Sequence, residues 1–299
     1  MIPLRDNIPT LRFAWVTVIL IAINVAVFAW QWTRPDDRYS SPAMAELGVP
    51  EADEAILAYG AIPARVMNPG SECAVGVNFV RSDGAQAAVV CEGTPEYQEA
   101  VALSKDGAPF QELPATAWWL TIITSMFMHG GVLHLVGNML FLWVFGNNIE
   151  DSMGKVKFVI FYLLGGAAAV YAHAIFDATS TVPMVGASGA VSAVLGAYIL
   201  LHPRARVLTL IFLLFFVTLI ELPAMALIGL WFVLQVIPAI GETTGVTGGD
   251  GVAYLAHVGG FIFGLAAVYL FVRRDRRGPK GGVTGYQRRD FRLGGAGRT

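Results

Sequence analysis

Residues 183–198 read PMVGASGAVSAVLGAY. They lie within 178–203, a stretch without Asp, Glu, Lys or Arg. Ser188, Ser192 and Gly196 stand at i, i+4 and i+8, so on a helix they share one face. A smooth small-residue stripe of this kind lets a second helix approach closely in lipid. The hydroxyl at its head admits a second reading, that of a nucleophile held inside a bilayer.

Five further charge-free stretches surround this one, at 13–33, 132–149, 158–176, 222–241 and 251–272. Each has 18 or more residues, close to the roughly 20 that cross the hydrocarbon core as a helix. The composition agrees: 55% of the 299 residues are hydrophobic, 14% are charged and the mean hydropathy is +0.59. Soluble domains carry about a quarter charged residues. The expectation is an all-α membrane protein, a bundle of six transmembrane helices with a large extracytoplasmic first loop. The apolar run 207–220 has 14 residues and is closed off by Glu221 and Pro223, so it reads as a short interfacial or re-entrant piece.

Basic residues set the orientation. Arg5, Arg12, Lys155, Lys157, Arg204 and Arg206 fall on one side of a six-span chain, with a 273–299 tail of nine basic and two acidic residues. The opposite side receives the 34–115 loop, with thirteen acidic and five basic residues. Both termini are therefore expected in the cytoplasm. The short chain suggests a bacterial inner membrane. The organisation reads as a cytoplasmic N-terminus (1–12), a first span retained as signal anchor (13–33), the outer loop (34–117), a helical core (118–272) and a basic, disordered tail (273–299). Both cysteines, Cys73 and Cys91, lie in the outer loop, where an oxidising compartment permits a bridge. The segment between them reads as two short strands around a Ser-Asp-Gly turn. The sequence has no phosphate-binding loop, dinucleotide fingerprint or Cys/His zinc cluster. No cofactor, metal or nucleic-acid partner is expected; the partners are the lipid bilayer and what it holds.

Polar side chains at membrane depth are costly and need a reason. His134 and Asn138 stand at i and i+4 on one face of the second span, and His257 is followed by Gly260 and Gly264 on its own face. The glycine pair suits the stripe beginning at Ser188, which would set Ser188 beside His257. In this topology Ser188, His257, His134 and Asn138 all fall within roughly 10 Å of the outer ends of their stretches, at about 1.5 Å rise per residue. A hydroxyl with an adjacent imidazole supplies an activated nucleophile, and further donors supply an oxyanion site. The Ser188 backbone N–H, near a helix start, would add another donor. Among the apolar runs the only carboxylate is Glu221, near the cytoplasmic start of the fifth span, so the arrangement is a Ser–His dyad or nothing. His129, His173 and His202 sit at span boundaries and read as structural.

These residues also resemble a family. HGGVLHLVGNMLFLWVFGNNIED (129–151), GASG (186–189) and AHVGGFIFG (256–264) look like the diagnostic helices of the rhomboid intramembrane serine proteases: H-x-x-x-N, G-x-S-G and A-H-x-x-G-x-x-x-G, in order. IPARV (62–66) resembles the family's first loop. The resemblance implies a six-helix bundle around a cavity open to the outside. It makes Ser188 the nucleophile and His257 its base and then acid. It lines the oxyanion hole with His134 and Asn138, with Gly186, Gly189, Gly196, Gly260 and Gly264 serving close packing. The implied substrates are single-pass membrane proteins, cut near the outer face of the membrane. Two positions depart from the family: Leu120 and Thr121 stand where Trp-Arg is frequent, and Ser192 where some members have Tyr. Another class of function on the same scaffold is a non-proteolytic membrane chaperone or clearance factor. A transporter fits poorly, since the sequence has neither inverted repeats nor intramembrane charge.

Overall fold

The computed structural model describes residues 1–33, 51–78, 86–213, 216–244 and 252–272. The expected Ser-Asp-Gly turn, the basic tail and most of the outer loop's first part lie outside them. Among the described residues, five helices are long and apolar enough to cross a membrane. They are α1 (Trp15–Trp32); α6 (Val132–Met153) and α7 (Lys155–Phe176); α9 (Ala224–Thr244) and α10 (Tyr254–Phe271). The expected fourth span is a shorter apolar helix, α8 (Ser188–Leu201), of 14 residues. At 1.5 Å per residue it is about 21 Å long.

The first ten residues of the charge-free run 178–203 are not helical, and local chemistry explains why. Pro183 has no N–H to give a helix. Met184 exchanges both backbone hydrogen bonds with Ala61, at 2.8 and 3.0 Å, and Gly186 donates to the Ser125 carbonyl at 2.8 Å. Gly186 also has φ +120°, a conformation that side chains other than glycine rarely adopt. The helix therefore starts at Ser188.

Helices α7, α8 and α10 are knitted together by small residues. A Cβ on Gly260 would collide with the Gly189 carbonyl, one on Gly264 with the Ala193 carbonyl, and one on Gly196 with the Phe261 carbonyl. Gly189 leaves no room for a side chain against Ala169 of α7. Below this seam, Phe145, Phe158, Phe161, Tyr162 and Tyr198 are fully buried.

The chain is mostly helical, but an all-α description omits two three-stranded sheets. The first lies between α1 and α6, within a segment built of α2 (Glu51–Tyr59), α3 (Pro63–Met67), β2 (Cys73–Asn78), β3 (Gln86–Cys91), α4 (Pro95–Lys105), β4 (Phe110–Glu112) and α5 (Trp118–Thr124). Its order is β3-β2-β4. Cys73 and Cys91 face each other across β2 and β3 and form a disulfide. Ala100 of α4 is buried against Ala74 and Val90. The second sheet joins β1 (Ile2–Asp6) to a hairpin, β5 (Arg206–Leu213) and β6 (Phe216–Pro223), in the order β1-β5-β6. This hairpin is the run read as interfacial or re-entrant. Val207 and Thr209 are buried while Arg206 is exposed and Leu208 and Leu210 are half-buried, the period-two pattern of a strand. Its β-branched and aromatic content favours strands as well.

Candidate active site

Ser188 is the first residue of α8. Behind it, Gly189 and Gly260 bring α8 and α10 to backbone contact. That closeness sets His257 Nε2 2.8 Å from Ser188 Oγ, the distance of a working hydrogen bond. Ser192, one turn on, donates its hydroxyl to the Ser188 carbonyl at 2.6 Å. The imidazole instead has Trp231 and Tyr254 as aromatic neighbours, with ring centroids 6.2 and 6.3 Å away.

The dyad opens on a cavity of about 540 Å³ whose wall includes His134, Asn138, Gly186, Ser188, Gln235 and His257. His134 is exposed on that wall, whereas Asn138, one turn further along α6, is buried. The position a Cβ on Gly186 would take lies 2.8 Å from His134 Nε2 and 3.5 Å from Ser188 Oγ. The bare face of Gly186 thus leaves the gap between imidazole and hydroxyl clear. Asn138 Nδ2 is buried and has no hydrogen-bond partner among the described residues. Buried amide donors are nearly always paired, so this one is available to an acceptor entering the cavity. The cap position of α8 is held by Ala187, which offers no side-chain acceptor. Its first N–H groups consequently keep their donor capacity and the positive end of the helix dipole.

Thus the four residues picked out by spacing and depth surround one cavity. The other histidines do not. His129 is buried, its backbone N–H donates to Gln31 Oε1 at 3.1 Å and its carbonyl accepts from Gln31 Nε2 at 3.2 Å. Burial, with the neighbouring His134 ring, pulls the His129 pKa down to about 4. His173 is a buried residue near the end of α7 and His202 follows the last turn of α8. Gln235 of α9, whose Oε1 lies 2.7 Å from His257 Nδ1, lines the cavity and escaped the sequence reading. Its signal was an amide inside the charge-free stretch 222–241.

The Rhomboid domain family pattern matches residues 116–274, more than half of the chain. The chain belongs to the rhomboid family. It is 36% identical over 172 residues to RHOMBOID-like protein 12, mitochondrial, of Arabidopsis thaliana, covering 52% of this chain and 47% of that one. It is 36% identical over 100 residues to Rhomboid protease GluP of Bacillus subtilis, covering 33% and 19%. Rhomboid protein 1, mitochondrial, of Saccharomyces cerevisiae is 33% identical over 97 residues, covering 31% and 28%. The chain spans less than half the length of each of these relatives. This rhomboid is a multi-pass membrane protein, and its family pattern begins just ahead of α5 and closes just after α10.

Proposed function

We propose that this rhomboid is an intramembrane serine endopeptidase acting through Ser188 and His257. The observation that carries the reading is the 2.8 Å contact between Ser188 Oγ and His257 Nε2 on a cavity that also holds the unpaired Asn138 amide. His257 takes the Ser188 proton as Oγ attacks a peptide carbonyl carbon, and the carbonyl oxygen becomes an oxyanion. Asn138 Nδ2, His134 and the Ser188 backbone N–H donate to that oxygen. The imidazolium returns its proton to the leaving amine, which departs as the C–N bond breaks and leaves an acyl ester on Ser188. Water, deprotonated by His257, then hydrolyses the ester and restores the serine. No step calls for a metal or cofactor.

The substrate class is single-pass transmembrane proteins, cut near the outer face of the membrane. Counting the short α8 as the fourth of six spans puts the basic termini and short basic loops on the cytoplasmic side. The dyad then lies in the outer third of the bilayer. Several of the similar proteins are named as mitochondrial, which argues against assigning the bacterial inner membrane from chain length alone.

The test is cleavage of a labelled single-pass substrate by the purified protein beside its Ser188→Ala and His257→Ala variants. Cleavage and fluorophosphonate labelling are expected in the parent and absent from both variants. A parent that neither cleaves nor labels, yet binds the substrate, would instead identify a non-proteolytic chaperone or clearance factor.

A further inference from the structure

We propose that Gln235 is a positioning residue that fixes the tautomer and orientation of His257, a neutral amide standing where soluble serine proteases use a carboxylate. The proposal rests on the protease reading of Ser188 and His257. Two contacts assign the amide. Gln235 Nε2 donates to the Trp231 carbonyl one turn back, at 3.4 Å, and Oε1 faces His257 Nδ1 at 2.7 Å. Reversing the amide would set its oxygen against the Trp231 carbonyl, two acceptors face to face, so this orientation is the one the partners allow. An acceptor at Nδ1 requires the proton there, which leaves Nε2 as the lone pair. Ser188 Oγ, 2.8 Å from Nε2, must then be the donor, as nucleophile activation demands. A chain of two hydrogen bonds, Ser188 to His257 to Gln235, thus runs from α8 through α10 to α9.

The choice of an amide follows from the solvent. A carboxylate at this depth would lose its hydration without a cation to pair with, a penalty that a neutral amide avoids. The amide oxygen gives the same directional acceptor with no net charge. What it gives up is charge stabilisation of the imidazolium; what it keeps is the ring's rotation and tautomer, the larger part of the orienting acid's work. The indole of Trp231, one turn earlier on α9, lies 6.2 Å from the imidazole centroid at an angle of 37°. Successive turns of α9 therefore supply a wall and a hydrogen-bond acceptor to the His257 ring.

The experiment compares the parent with Gln235→Leu and Gln235→Glu in full-length protein, in detergent and in liposomes. Its readouts are kcat and KM for the labelled substrate, the rate of fluorophosphonate labelling of Ser188, thermal unfolding and the nitrogen-15 spectrum of His257. Gln235→Leu is expected to lower kcat and the labelling rate roughly 10- to 100-fold, part of what a general base contributes. KM should stay within about twofold, with the folded state intact and the protonated Nδ1 signal lost. Gln235→Glu, which at this depth enters as the neutral acid and keeps a carbonyl oxygen as acceptor, is expected to restore both the signal and most of kcat. Wild-type kcat in Gln235→Leu, or equal losses in both variants tracking a lowered melting temperature, would overturn the assignment. If the parent itself neither cleaves nor labels, the protease reading fails. The spectrum then decides the positioning role on its own: an Nδ1 proton indifferent to Gln235→Leu refutes it.

Discussion

Asn138 poses the sharpest question at the scale of a single residue, because its Nδ2 is buried without a partner among the described residues. An unpaired buried donor costs roughly 1–3 kcal/mol, and a folded protein keeps such a group where it serves something other than stability. Asn138→Leu, close in volume, is therefore expected to lower kcat by about 10²–10³, the loss seen when one oxyanion donor is removed. Its melting temperature should stay level or rise. Kinetics and thermal unfolding on the same preparation check both halves; a fall in stability with unchanged kcat would make Asn138 a packing residue. Gly186 is expected to behave in the opposite way. At φ +120° and 2.6 Å from His134 Cε1, an added Cβ meets both backbone strain and the imidazole. Gly186→Ala should lose fluorophosphonate labelling by at least tenfold and also unfold at lower temperature. Asn138 was legible in the sequence as a candidate because hydrogen-bonding groups at membrane depth stand out against an apolar background, whereas Gly186 read there only as a packing glycine and its positive φ outside the helix is a correction. Gln235 was equally visible by composition, but its function depends on which ring nitrogen it meets, and only coordinates give that.

At the scale of elements, α1 depends on a neighbour for its start. Ala14 in the cap position supplies no side-chain acceptor and the first turn carries no acidic residue. Glu150, buried near the end of α6, fills both gaps: its carboxylate accepts from the Val16 and Thr17 N–H groups at 3.1 and 2.8 Å and from the Thr17 hydroxyl at 2.9 Å. Asp151 accepts the Leu11 N–H at 2.9 Å. A carboxylate at a helix N-terminus is favoured both by the orphan donors and by the dipole. Glu150→Ala is expected to destabilise the fold by about 1.5–3 kcal/mol, the range for hydrogen bonds to a charged group, with Glu150→Gln intermediate. Thermal unfolding measures it, and kcat of the folded fraction should hold, since α1 does not line the cavity. Element contacts were unequally legible. The glycine and serine stripes announced the α8–α10 seam because close approach has few chemical solutions. The β1-β5-β6 sheet was hidden because Phe, Leu and Ile crowd the hairpin, and a continuous apolar run does not reveal its period. The loop before Ser188 was hidden too, since what stops the helix is its backbone bonding to Ala61 and Ser125, far away in the chain.

At the scale of the whole molecule, the helix that begins at Ser188 is held at both ends by segments distant in sequence. Above Ser188, the disulfide-bearing segment is tied to the loop 178–187 through Ala61 and Met184, and through Ala64 and Ser180. Below, Asp6 of β1 accepts hydrogen bonds from Tyr198 of α8 and Asn148 of α6, each at 2.5 Å. The first strand, α6 and α8 thus converge on one carboxyl group. Burial pushes the Asp6 pKa from 3.8 up to about 6, against the smaller opposing pull of the Tyr198 hydroxyl. Between those two values the folded chain holds a proton that the unfolded chain has released, so stability falls as pH rises. The contribution is fully present below about pH 4, is lost through about pH 6 and is flat above it. At 1.36 kcal/mol per unit it amounts to at most about 3 kcal/mol. In Asp6→Asn the amide oxygen can accept from both Tyr198 and Asn148 without ionising. The variant should therefore match the parent near pH 4 and exceed it in melting temperature by several degrees above pH 6.5. Melting curves recorded from pH 4 to 8 for the two proteins decide it. A constant offset across that range would mean that Asp6 is held by its hydrogen bonds alone, and that its ionisation is not coupled to the junction at the end of α8.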